Sequence, residues 1–238
     1  MSPTVAMSSL LVLLLTTIST VLYSEEHVIH VDAINGTDTQ SCVEGRIPCA
    51  TINMALNGSQ HQYIIDNTTH LIVYISSGHY TLQHGDFNNI TGTGNVSIIG
   101  SLETIVQCEP GAGLYLTSLY SVTIESIAFI GCGYSNEIAV FDTYYQQNLL
   151  YASPSALIFI MCDSLVVQNI TISNSNGSGI ILMESLQAYI AGSLIHSGYY
   201  YNSYNESIAV GGIVHLSSDP AYDVYRNYSL FITNTIKH

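Results

Sequence analysis

Ser164-Leu-Val-Val-Gln-Asn-Ile-Thr-Ile-Ser173 and Ser185-Leu-Gln-Ala-Tyr-Ile-Ala-Gly-Ser-Leu-Ile195 decide the fold, because they read as one phrase said twice. Ser121-Val-Thr-Ile-Glu-Ser-Ile-Ala-Phe-Ile130 and Ser229-Leu-Phe-Ile-Thr-Asn-Thr-Ile236 say it again. Each copy is a Ser-led β-branched strand, a small residue and a second short strand. Aligning Ile124, Val167, Ile190 and Ile232 puts Ser126, Asn169, Gly192 and Asn234 in one column. Gly and Asn enter the left-handed backbone region at least cost, as a tight corner between strands requires. The same alignment predicts stacks of Phe129, Ile172 and Ile195, and of Leu119, Cys162 and Met183. The leading serines of the second and third copies are 21 residues apart, and the other gaps are about twice that because Tyr-rich insertions interrupt them. Repetition at this period without a helical pattern means that each unit buries its apolar side on its neighbours. The expected class is all-β: a single-stranded parallel β-helix, a solenoid with units of 21 to 23 residues. The strands alternate apolar and polar positions, which predicts one wet face.

Working outward, nothing splits the 238 residues by a linker or charge run. The longest apolar run, Leu10 to Leu22, is 13 residues, short of the roughly 18 of a spanning helix. Tyr23-Ser24-Glu25-Glu26 follows it. Residues 1–24 are therefore expected to be a secretory signal peptide, with a retained signal anchor as the alternative. Residues 25–60 then form an amino-terminal cap with a disulfide loop, and 61–238 the coils. The end at Lys237-His238 falls inside the fourth repeat, so further coils or an anchor are expected beyond it.

Nine of sixteen asparagines open an Asn-x-Ser/Thr acceptor, where random placement gives about three. Asn35, Asn57, Asn67, Asn89, Asn95, Asn176, Asn205 and Asn227 are the expected glycosylation sites. Asn169, in the corner column, is expected to turn inward and carry no sugar. Three basic residues against seventeen acids give a net charge of −14, which excludes phosphate-directed binding to nucleic acid and to anionic membranes. Membrane association is left to a retained anchor or a segment beyond the carboxyl end.

Five cysteines in a secreted chain imply disulfides and one spare thiol. Cys42 and Cys49 flank a turn-rich loop and are expected to pair. Cys108 and Cys132 fall at equivalent points of successive units, and neighbouring strands ~4.8 Å apart permit a bridge. A stack of unbridged thiols is the alternative. Cys162 is left buried and reduced.

Val31-Asp-Ala-Ile-Asn-Gly-Thr-Asp38, Ser41-Cys42, Pro48-Cys-Ala-Thr-Ile-Asn-Met-Ala-Leu56 and Val73-Tyr-Ile-Ser-Ser-Gly-His-Tyr-Thr81 carry a family resemblance. They are similar to the opening of right-handed β-helix proteins of the pectin-lyase-like superfamily. The resemblance implies a right-handed helix whose first coil is capped by a short amino-terminal helix. Local chemistry agrees, with Thr51 as N-cap and Gly58 as stop. It also raises polysaccharide cleavage. Lyases of this superfamily use an Arg base with Asp-bound calcium, and its hydrolases an Asp cluster with His-Gly and Arg-Ile-Lys. Beyond the cap there is only Arg226, and His84-Gly85 stands alone. The motifs that would carry the superfamily's activity do not match.

Asp163 and Glu184 are the one carboxylate pair that aligns, as a glycosidase pair or as turn carboxylates in water. His27 and His30 are three apart on a strand and face opposite sides, so no metal site is expected, and no cofactor. Tyr144, Tyr145, Tyr199, Tyr200 and Tyr201 lie in insertions that leave the same corner, and are the expected ligand-binding residues. Tyrosine gives large, rigid, amphipathic contact area. Packing down as a lid is the alternative. The reading is a secreted, non-catalytic module that recognises a carbohydrate or an extracellular protein, with a polysaccharide-active enzyme as the competing class.

Overall fold

The computed structural model describes residues 25–62, 65–83, 88–109, 112–133, 156–173, 179–183, 185, 187–196, 199–201, 207–209, 213–216 and 229–237. It is an all-β structure whose ladders are parallel, apart from one hairpin.

Three walls of strands recur in chain order. The first wall holds β1 (Glu25–Val31), β2 (Thr69–Ile75), β5 (Asn95–Gly100), β8 (Ser121–Glu125), β11 (Ser164–Gln168), β14 (Gln187–His196) and β18 (Ser229–Lys237). The second holds β3 (Gly78–Leu82), β6 (Thr104–Cys108), β9 (Ala128–Ile130), β12 (Thr171–Ser173) and the far half of β14. The third holds β4 (Asn88–Thr91), β7 (Leu114–Thr117), β10 (Leu157–Ile160), β13 (Ile180–Met183) and β17 (Ile213–Leu216). β14 runs unbroken around the corner and so belongs to two walls.

The predicted alignment is the register: Ile124 pairs with Val167, Val167 with Ile190 and Ile190 with Ile232. Ile29, Val73 and Ile98 extend the same column downwards, all fully buried as far as Ile190. Phe129, Ile172 and Ile195 stack as expected on the second wall, continued by Val106 and Tyr80. Each step adds about 4.8 Å and one more closely packed apolar layer.

Three details of the alignment are corrected. Ser164 pairs with Gln187, not Ser185, because the step between these units is 23 residues. Ser185 sits one strand start earlier, where its Oγ accepts from the Cys162 N–H at 3.4 Å. Met183 pairs with Ile160, so it does not stack on Leu119 and Cys162. The earlier units are longer than 23, with His70 opposite Asn95 and Asn95 opposite Ser121.

Ser126, Asn169 and Gly192 occupy the corner between the first and second walls at φ of 58°, 53° and 58°. Asn234 lies in β18 opposite the break in register between Ala191 and Leu194. A second left-handed corner, Ser118 at 60° and Met161 at 53°, leads from the third wall into the first.

The amino-terminal end is closed by α1 (Gln40–Val43) and α2 (Ile52–Gln62). Ile52, Ala55, Leu56 and Ser59 are its buried face, spaced as one side of a helix. Thr51 caps α2: its Oγ1 accepts from the Met54 N–H at 3.1 Å. Asp38 reinforces that start, accepting from the Ala50 and Thr51 N–H groups at 2.8 and 3.0 Å and from the Thr51 hydroxyl at 2.8 Å. Gly58 does not end the helix, which continues to Gln62. A Cβ there would lie 2.5 Å from Val43 Cγ2, so glycine lets α2 press onto α1.

Both expected disulfides are formed. Cys42–Cys49 ties α1 to the strand-like start of the cap, with Cα atoms 4.9 Å apart. Cys108–Cys132 staples neighbouring units of the second wall, with Cα atoms 4.7 Å apart. Cys162 is buried, and desolvation pushes its thiol up to about 11.

Candidate functional site

The outward side chains of the second wall form a row one residue wide. His79 pairs with Ile105, Ile105 with Ala128, and Ala128 with Thr171. Four strands at this spacing make a floor roughly 14 Å long. On one side the floor meets the left-handed corner at Ser126 and Asn169. Along the same corner, one unit earlier, stands the bend 101–103. The result is a groove of about 710 Å³.

The bend is held by hydroxyls. Ser101 donates its N–H to Thr104 Oγ1 at 2.9 Å, and Thr104 donates in turn to the Ile75 and Ser76 carbonyls at 3.2 Å. Ser77 and Ser101 hydroxyls meet at 2.8 Å. Tied down in this way, the bend presents Leu102 at 100 % exposure beside Glu103. An isolated leucine fully in water at a groove rim offers apolar contact to whatever enters.

A second groove of about 390 Å³ continues towards the cap, lined in part by Asp38, Thr51, Tyr80 and Gln83. His79 lines both. Tyr80 is fixed between them, donating its hydroxyl to the Ser76 carbonyl at 3.0 Å, and burial pushes its pKa up. Asp38 is committed to the helix start. The Cys42 and Cys49 sulfurs beside it are joined in a disulfide, so this cluster is not a set of metal ligands.

Chemically the larger groove offers an imidazole, an amide, several hydroxyls, one carboxylate and small apolar surfaces. Among the described residues no Lys or Arg lines it. Arg46 is in the cap, 3.0 Å from Glu44.

The sequence-derived sites fall elsewhere. Asp163 is exposed on the corner leading into the first wall, and Glu184 lies outside the described residues. The described pairs on either side, Ile160 with Met183 and Ser164 with Gln187, are each 23 residues apart. Tyr144 and Tyr145 also lie outside the described residues. Tyr199–Tyr201 is β15, paired antiparallel with β16 (Ser207–Ala209) just after β14 ends.

Of the glycosylation acceptors, Asn35 and Asn67 are exposed in turns and Asn95 is half-buried at the start of β5. Asn57 is half-buried within α2, and its partner Ser59 is buried with its hydroxyl donating to the Ala55 and Leu56 carbonyls at 2.6 and 2.9 Å. Asn89 lies in β4; Asn176, Asn205 and Asn227 lie outside the described residues. Asn169 is exposed and lines the groove, which overturns its inward expectation. Its column neighbours are Ser126 and Gly192, so no stack of asparagines draws it in.

The groove was legible only in retrospect: His79 lies in the Gly-His-Tyr segment, but nothing marks its outward row as a floor. No family model, curated protein or solved structure matches the chain.

Proposed function

We propose that the chain is a secreted, N-glycosylated right-handed parallel β-helix that recognises an uncharged carbohydrate along the groove of its second wall. The three walls visited in turn, one strand each per unit, support the solenoid reading. The two disulfides favour an oxidising compartment, as a signal peptide at 1–24 requires. Among the described residues no helix is long and apolar enough to cross a membrane.

One observation carries the recognition reading: a floor of one outward residue per strand, edged along the corner with the first wall by hydrogen-bonding groups and by exposed Leu102. Such a surface suits an extended, hydroxyl-rich chain, whose sugar rings have polar edges and apolar faces. A lining without Lys or Arg among the described residues, on a chain of net charge −14, disfavours the acidic polysaccharides of the superfamily. Hydrolysis through two carboxylates is also disfavoured, since among the described residues Glu103 is the only carboxylate in the lining. The tyrosines of β15 remain a second contact surface under this proposal.

A panel of neutral and acidic polysaccharides, scored for both retention and product release, tests the reading. Neutral chains should be retained without release, and Ile105→Arg should abolish retention by filling the floor. Release of shortened products would transfer the protein to the enzyme class.

A further inference from the structure

We propose that Asn169 carries an N-linked glycan, and that this glycan occupies the Asn169–Thr171 end of the groove and narrows it. The inference rests on the secretory and recognition reading above and adds a regulated width to the same site.

The acceptor is Asn169-Ile170-Thr171. Its three residues straddle the corner: Asn169 is exposed, Ile170 is buried, and Thr171 is half-exposed on the outward side of the second wall. Asn169 and Thr171 both line the groove, so the acceptor's amide and hydroxyl open onto the same space. The backbone of Asn169 is satisfied by the ladder, its N–H donating to the Ala191 carbonyl at 3.0 Å. Its side-chain nitrogen is not engaged by any hydrogen bond among the described residues.

Orientation follows from Gly192. A Cβ at that position would lie 2.6 Å from Asn169 Oδ1. The oxygen therefore rests over the glycine of the following unit. Two other acceptors are less free: Asn35 donates its Nδ2 to Asp32 at 3.0 Å, and Asn57 sits within a packed helix.

The transfer needs an oligosaccharide joined through its anomeric carbon to a lipid diphosphate. A bond forms from Asn169 Nδ2 to that carbon, the bond from the carbon to the diphosphate oxygen breaks, and the lipid diphosphate leaves with the electron pair. The amide gives up one proton to solvent, so the linked nitrogen stays neutral. The first sugar then begins beside Thr171 and Ala128, and the open groove shortens towards His79.

The protein secreted from a eukaryotic host, mapped by glycopeptide mass, is the test. The peptide containing Asn169 should carry a glycan. Thr171→Ala should remove it, while Thr171→Ser should keep it; both leave the asparagine and its corner intact. An unmodified Asn169 peptide alongside glycosylated Asn35 or Asn67 overturns the inference and leaves the secretory reading standing. Unmodified peptides throughout overturn both. Thr171→Ala should also retain neutral polysaccharide several-fold more strongly than the native protein, whereas equal retention rejects the narrowing. Retention absent from both proteins rejects the recognition reading and the narrowing with it, and the mapping still decides attachment.

Discussion

The first and third walls are built from the same kind of β-branched strand, yet they meet their surroundings differently. In β8 of the first wall burial alternates: Val122 and Ile124 are buried, while Ser121, Thr123 and Glu125 are not, although β2 and β5 nearer the cap bury three residues in succession. The third wall buries consecutive residues, Leu157-Ile158-Phe159 and Ile180-Ile181-Leu182. Only the odd-numbered members of Leu157, Ile158 and Phe159 belong to the internal core cluster, so Ile158 faces outward and is nevertheless 1 % exposed. Tyr115, Ile158 and Ile181 form one outward column across three strands. The lesson is that one wet face, expected from alternation in the sequence, holds for β8 and β11 of the first wall and fails for the third. Parallel strands covered on both sides read as continuous apolar runs, and these do.

Substitution by Asp gives the largest contrast. Ile158→Asp places an unpaired charge in a dry site and should cost about 4 kcal/mol or more. Val166→Asp, half-exposed on the outward side of the first wall, should cost about 0.5 kcal/mol. Urea midpoints read the difference, and equal losses would erase the distinction between the walls.

At the junction of the first two walls, Gly192→Ala should cost about 1–2 kcal/mol, because alanine disfavours φ of 58° and its methyl meets Asn169. A neutral result would mean that the corner relaxes freely.

Alkaline pH sharpens the comparison further. Burial raises the pKa of Tyr115 on the third wall, and that of Cys162 at the corner leading out of it. The unfolded chain releases these protons first, so their contribution is intact below about pH 9 and is lost as pH rises towards the folded values. For Cys162 the window runs from 9.0 to about 11. Tyr115→Phe should flatten part of the decline in urea midpoint above pH 10. Iodoacetamide should leave Cys162 unmodified in the native protein at pH 8 and label it in urea. The smallest expected effect is chemical access: tetranitromethane should nitrate Tyr189, 42 % exposed on the first wall, well before Tyr115 at 7 %.

Much of the frame was readable because it repeats. Ile124, Val167, Ile190 and Ile232 align by eye, and the structure pairs them. Two disulfides followed from spacing and register. The second corner was not readable, since Ser118 and Met161 carry no preference for left-handed backbone, and only the ladder around them imposes it. Ser185 misled because it leads its phrase in sequence while Gln187 leads it in the strand. Gly58 misled in another way: a helix-ending residue was read where close packing on Val43 required one. The groove went unseen because its floor combines single residues from four strands, and no local segment contains more than one of them.

The left-handed bends have a consequence for how the chain assembles during synthesis. Ser118, Ser126 and Asn169 donate their N–H groups to Ile160, Gln168 and Ala191, all in the unit that follows. A freshly made unit thus leaves the ribosome with its bends unfastened, and each clicks shut only when the next stretch of polypeptide arrives. Growth from the capped amino end is vectorial, and a pause in translation exposes one raw edge at a time.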